Sequence, residues 1–221
     1  MAFDLRFKTP FNLILSGVSQ SGKTTFCKNL LTISDEIFRV KPDKVFLFYK
    51  AMQPIYTEMH SQGLIHELID VSENFPTLDH IHNMISPYKD QKGSLIIFDD
   101  ILNDISKPFE TLFCNASHHM NTSIILIVQN LFYKEKSFRT LSLNSHYIVI
   151  MKNPRDKQQV SILARQFNPN NPKFVIESFE EATKKPHSYL FIDFHPETKP
   201  TIRLRSDIFK HEFPIKVYLE K

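Results

Sequence analysis

Gly17-Val18-Ser19-Gln20-Ser21-Gly22-Lys23-Thr24 places two glycines, a lysine and a hydroxyl at the spacing G-x-x-x-x-G-K-[ST]. Such a loop turns its backbone amides inward around phosphate oxygens. Its glycines allow the close approach, and the helix that follows adds a positive dipole end. Lys23 is the cation for the β- and γ-phosphates, Thr24 supplies a hydroxyl to Mg2+, and Thr25 continues the cradle. A second signal lies in Leu95-Ile-Ile-Phe-Asp99-Asp100, four apolar residues that deliver a carboxylate to the end of a buried strand. Asp99 is expected to hold Mg2+ through its water shell, and Asp100 to position or deprotonate the attacking water. The alternative for Asp100 is a helix N-cap before Ile101. Gln129 closes another apolar run, Ser123 to Val128, where an amide can sense a γ-phosphate or orient water; the alternative is a polar strand exit.

These residues need a strand before each of them and a helix after the loop. Phe11 to Ser16, Lys44 to Lys50, Ser94 to Asp99, Ser123 to Gln129 and His146 to Met151 read as strands. Gly22 to Thr32, Ile55 to Val71, Leu78 to Ile85, Phe109 to His119, Phe138 to Leu143 and Asp156 to Gln166 read as helices from their three- and four-residue apolar spacing. Strands apolar on both faces and separated by helices define a three-layer α/β fold around a mainly parallel sheet. Ser188 to Phe194 and Thr201 to Ser206, joined by the polar turn His195 to Pro200, read as an antiparallel edge hairpin with Arg203 and Arg205 facing away from Ile202 and Leu204. One domain over 1–221 is expected, with a core to 170 and a C-terminal helix and edge strands over 171–221.

With 42% hydrophobic and 23% charged residues, the 221-residue chain has the composition of a globular protein rather than a disordered one. A net charge of +3 excludes a histone-like polycation but hides two regions of opposite sign. Ala51 to Glu110 carries three basic and ten acidic residues, whereas Leu131 to Lys173 carries eight basic and two acidic ones. Two cysteines, Cys27 and Cys114, cannot build a disulfide framework, and Cys27 reads as a core residue. No apolar run approaches the ~18 residues of a membrane span, and Met1 to Lys8 lacks a signal-peptide pattern. A soluble intracellular protein without a membrane partner is expected.

Further residues narrow the class. Ser117-His118-His119-Met120-Asn121-Thr122-Ser123-Ile124, then Gln129-Asn130-Leu131-Phe132, resembles the genome-packaging ATPases of poxviruses and their relatives. Arg139 to Asn144, Lys152-Asn-Pro-Arg155-Asp156-Lys157 and Ile162 to Gln166 extend the match to about Pro169. Similar ATPases occur in adenovirus-sized viruses, virophage-like elements and Maverick/Polinton transposons, within the wider group of FtsK- and HerA-type translocases. The resemblance implies a P-loop NTPase fold of the RecA/FtsK-HerA type, with an additional strand between those carrying the loop and Asp99. In chain order, the strands would lie 5-1-4-3-2. It also implies ATP and Mg2+ as cofactors, a homo-oligomeric ring (pentamer or hexamer), and hydrolysis that drives double-stranded DNA through a pore into a capsid. The loop begins at residue 17, without the N-terminal extension of larger relatives. Docking to a capsid or portal-vertex protein is therefore expected through the core or the C-terminal strands. A viral protein of this kind would reside in the virion or in the host cytoplasm or nucleus.

A ring of this kind needs a cation from a neighbouring subunit beside the transferred phosphate, and Arg139 and Arg155 are the candidates. Arg139 is preferred because its loop leaves the Gln129 strand directly; the alternative for either is an ordinary ion pair. Lys134, Lys136, Lys152, Lys157, Lys173, Arg203 and Arg205 form a basic set that could follow a phosphate backbone without reading bases, or simply a solvated face. Adjacent His118 and His119 face different ways on a helix and favour hydrogen bonding over metal binding. Rival functions are a cellular HerA-type DNA translocase or helicase, a P-loop small-molecule kinase and a nucleotide-dependent scaffold. Asp100 and Gln129 argue against the kinase.

Overall fold

The computed structural model describes residues 3–101, 107–131, 136–155 and 158–220, with His118 and residues 136–138 described by their backbone alone. The chain starts with β1 (Asn12–Ser16), then α1 (Lys23–Thr32) and α2 (Ser34–Ile37). Next come β2 (Lys44–Tyr49), α3 (Pro54–Ser61), β3 (Glu67–Asp70) and α4 (Leu78–Ile85). β4 (Ser94–Asp99), α5 (Lys107–His119), β5 (Thr122–Val128), α6 (Lys136–Leu143) and β6 (Tyr147–Met151) complete the parallel part. The chain ends with α7 (Gln158–Phe167), α8 (Pro172–Ala182), β7 (Tyr189–Asp193), β8 (Leu204–Ser206) and β9 (Lys216–Val217).

All nine strands join one sheet in the order β3-β2-β4-β5-β1-β6-β7-β8-β9. Counting only the five strands read from sequence (β1, β2, β4, β5 and β6), the order is 5-1-4-3-2, and the strand between the loop strand and the Asp99 strand is β5. The pairs from β3 to β6 are parallel, whereas β7, β8 and β9 add on antiparallel. Side chains alternate between two cores, as the period of two demands. Ile14, Phe46, Phe48, Ile96, Phe98, Ile124, Leu126, Ile148 and Ile150 meet α4 to α8 on one face. Leu13, Leu15, Val45, Leu47, Leu95, Ile97, Ile125, Ile127, Tyr147 and Val149 meet α1, α2 and α3 on the other. Because both faces are covered, the central strands need no polar side, and β1, β4, β5 and β6 are buried throughout.

Two expectations are corrected. Ile55 to Val71 is not one helix: α3 stops at Ser61, Gly63 turns at φ +70°, and Glu67–Asp70 pairs with β2 as a parallel edge strand. Half-burial of Leu68 and Ile69 at that edge gave an apolar spacing that passes equally for a helix face.

Arg205 is the second. Residues Pro200–Ile202 form a 3-10 turn, so strand alternation starts only at Leu204, and Arg205 is 3% exposed. Its guanidinium donates to Asp193 Oδ2 at 2.7 Å and to the Leu5 carbonyl at 3.2 Å, and it lies 4.7 Å over the Phe191 ring. A side chain so enclosed cannot belong to a DNA-facing surface. Arg203 is half-buried and donates from Nε to the Thr198 carbonyl at 3.2 Å.

Removing one partner of a buried ion pair leaves the other charge uncompensated. Arg205→Met is therefore expected to lower unfolding stability in urea by about 3–5 kcal/mol. Arg203→Met, which loses a single hydrogen bond, should cost about 1 kcal/mol. Equal effects of the two substitutions would contradict the structural role of Arg205.

Candidate nucleotide site

The loop between β1 and α1 is shaped by close backbone contacts. The Gly17 amide donates to the Val128 carbonyl at 3.1 Å, tying the loop to the end of β5. A Cβ on Gly17 would stand 2.5 Å from Ser21 Oγ and 2.9 Å from Met151 Cβ, so a side chain there would disrupt the turn. Gly22 caps α1 at φ +103°, a left-handed conformation that glycine adopts without steric cost. Gln20 also has positive φ, at 63°. Lys23 is the first residue of α1, and its ammonium donates to the carbonyls of Gly17 at 2.6 Å and Val18 at 2.9 Å.

Ser19, Gln20, Gly22, Lys23, Thr24 and Thr25 share one cleft, of about 1100 Å³, with Asp99, Asp100 and Gln129. The sheet order explains the meeting. β4 and β1 flank β5, and their carboxyl ends open on the same side, where ligands of open α/β sheets bind. Asp99 is 8% exposed at the end of β4. Burial raises its pKa, against the hydrogen bond from Tyr56 and the charge of Lys23. Burial likewise lowers the pKa of Lys23, against the charges of Asp99 and Asp100. Asp100 is exposed and held at φ +60°, a strained conformation for a residue with a side chain. Ile101, which the N-cap alternative would make the first helical residue, lies outside any helix, and residues 102–106 are outside the described residues. Gln129 follows β5 and is exposed in the cleft.

Tyr56 was not visible in the sequence as a site residue. It lies in the first turn of α3, 1% exposed, and its hydroxyl donates to Asp99 Oδ2 at 2.5 Å while accepting from Gln53 Nε2 at 2.8 Å. Burial is the first cause of its strongly raised pKa, followed by the Asp99 charge, so the phenol remains a donor. The available signal was the register that sets Tyr49, just before α3, beside Asp99. A contact across 43 positions cannot be read from local spacing.

Arg139 lies on α6, not in the loop after β5, and Arg155 lies in the turn after β6. Both are exposed, and neither lines the cleft. Lys152 is exposed beyond β6, and Lys173 on α8 faces Glu177 at 3.5 Å. Lys134, Lys157 and the Lys136 and His118 side chains lie outside the described residues. Cys27 is buried in the core, as expected. No helix among the described residues is long and apolar enough to cross a membrane.

A triphosphate with its divalent cation suits this donor set. Ser21 Oγ is buried in the loop with no hydrogen-bond partner among the described residues. Lys23 supplies positive charge, and the Thr24 hydroxyl and Asp99 carboxylate are oxygen ligands of the kind Mg2+ takes.

Fold and site together define a P-loop NTPase of the three-layer α/β kind. Residues 3–165 match the family described as Poxvirus A32 protein, and the chain belongs to that family. The DNA packaging protein OPG160 of Variola virus is 30% identical over 133 residues, covering 55% of this chain and 47% of that protein. The OPG160 protein of Vaccinia virus (strain Copenhagen) is 32% identical over 136 residues, covering 55% and 47% respectively. The chain thus spans about half the length of the curated relatives it matches. Among solved structures, the genome packaging NTPase B204 from Sulfolobus turreted icosahedral virus 2, in complex with ATP-gammaS, has a TM-score of 0.54 at 12% identity. That match covers 96% of this chain and 98% of B204. The cytoplasmic domain of the Type VII secretion ATPase EccC from Thermomonospora curvata has a TM-score of 0.52 at 12% identity, covering 88% of this chain and 25% of that one. Both share its fold.

Tyr56→Phe keeps the ring and removes only the donor to Asp99. It is expected to raise the Mg2+ concentration needed for half-maximal ATP binding several-fold, with the melting temperature nearly unchanged. An unaltered Mg2+ dependence in a titration would show that packing alone holds Asp99.

Proposed function

We propose that the chain hydrolyses ATP with Mg2+ and uses the reaction to drive double-stranded DNA during the packaging of a viral or virus-like genome. The supporting observation is the convergence of Lys23, Asp99, Asp100 and Gln129 on one cleft in a member of the Poxvirus A32 protein family. Curated relatives carry the name DNA packaging protein.

In this reading the loop amides and Lys23 take the β- and γ-phosphates, and Lys23 exchanges its contacts with the Gly17 and Val18 carbonyls for phosphate oxygens. Thr24 and Asp99 would hold Mg2+, which would supply positive charge against the phosphates. Tyr56 and Gln53 fix the Asp99 carboxylate. Asp100, exposed beside Asp99, orients the attacking water or takes its proton. Gln129 contacts the γ-phosphate from the end of β5 and reports its loss to the next elements.

The reading extends to a single ATPase domain that assembles as a homo-oligomeric ring, with Arg139 or Arg155 serving a neighbour's cleft. Exposure of both arginines away from their own cleft is compatible with that role. Duplex DNA would be held through its phosphates, Lys152 among the contacts, and a capsid or portal-vertex protein would be the docking partner.

Lys23→Ala should abolish nucleotide binding in a titration with a fluorescent ATP analogue. Asp100→Asn should bind it normally while hydrolysis falls roughly 10²-fold or more. Near-normal turnover of Asp100→Asn would assign the water to another group.

Duplex DNA of any sequence should stimulate hydrolysis. Its affinity should fall with salt at a log–log slope of about −0.9 per neutralised phosphate. Lys152→Glu should make that slope shallower. Hydrolysis indifferent to DNA would favour a kinase or scaffold, and efficient strand separation would favour a helicase.

A further inference from the structure

The cleft has a second half that the phosphate chemistry does not use. Besides Asp99 and Gln129, the cleft's lining includes a wall of His187, Phe209, His211, Phe213 and Pro214 from the C-terminal part of the chain. His187 marks the junction. Its Nδ1 lies 3.2 Å from the Ser21 carbonyl, and its Cβ would be 3.4 Å from a Cβ on Gly22. A ligand whose phosphates sit in the loop can therefore continue past His187 toward this wall.

The wall is built firmly and presents aromatic surface. Phe209 is 2% exposed and packs against Phe26, with ring centroids 5.0 Å apart. The Tyr189 hydroxyl donates to Glu212 Oε2 at 2.6 Å and accepts from the Ile208 amide at 3.0 Å, fastening the segment to β7. His211 stacks on Phe209 at 5.8 Å with planes 4° apart. Phe213 is 52% exposed despite this fixed surrounding. The nearby charges Lys216 and Asp207 pair with each other at 2.8 Å, and Lys185 and Glu212 also line the cleft, so the rings of Phe213 and His211 are its flat surfaces among polar groups.

We infer that Phe213 and His211 form the platform for the nucleobase of the bound nucleotide, so the C-terminal segment 207–216 is the nucleoside half of the site. The inference rests on the reading of the Gly17–Thr24 loop as a phosphate site and extends it to residues beyond the 3–165 family match. A base offers a flat π face to an aromatic ring, whereas inorganic polyphosphate offers none.

Inorganic tripolyphosphate separates the two halves. Phe213→Ala should weaken ATP and ADP binding roughly tenfold, the scale of losing one base–aromatic stack, and leave tripolyphosphate affinity unchanged. The chain has no tryptophan, so Phe213→Trp introduces a single indole reporter. Its emission should change on adding ATP and not on adding tripolyphosphate, in a variant that melts like the parent. Lys23-dependent tripolyphosphate binding with ATP affinity indifferent to Phe213 would overturn the platform alone. Tripolyphosphate binding indifferent to Lys23→Ala would overturn the loop reading and the platform with it.

Discussion

Lys23 and Asp99 bring opposite charges into one cleft, where burial acts against the charged form of each. Much of the surrounding structure serves to make that burial tolerable. The Gly17 and Val18 carbonyls accept from the ammonium, and Tyr56 donates to the carboxylate. In a low-dielectric setting, a polar group is stabilised only by partners already in place. On the proposed function, Tyr56 would keep Asp99 in place for a divalent cation, whereas Lys23 would leave its carbonyl partners for phosphate oxygens.

Sheet topology is the mechanical side of this constraint. β1 carries the loop, β4 carries Asp99, and β5 between them carries Gln129 while accepting the Gly17 amide at its last carbonyl. Three side chains distant in sequence therefore share a rigid base, with apolar residues packed on both faces behind them. Close packing of this kind leaves little freedom for the strand ends to shift independently.

The C-terminal strands extend the sheet beyond β6 and also return to the cleft. The Asp193–Arg205 pair fastens β7 to β8 at one end, and Tyr189 fastens the segment after β8 at the other. His187 links this part to the phosphate loop itself. An edge extension has become one wall of the nucleotide cleft.

What the sequence determined by itself was local. The loop pattern, the carboxylate pair after four apolar residues, and the doubly apolar strands each rest on neighbouring positions, where spacing translates directly into geometry. The order of the five parallel strands and the family came from the resemblance of motifs around Gln129, Arg139 and Lys152, and the sheet and the family match agree with both. Tertiary structure decided the rest. Whether Ile55 to Val71 held a helix or an edge strand depended on pairing with β2, because half-buried residues satisfy either period. The fate of Arg205 depended on Asp193 and Leu5, and the role of Tyr56 on Asp99, partners 12, 200 and 43 positions away. Charge patterning marks an arginine as basic, but only the packed chain determines whether that charge meets solvent or a buried carboxylate.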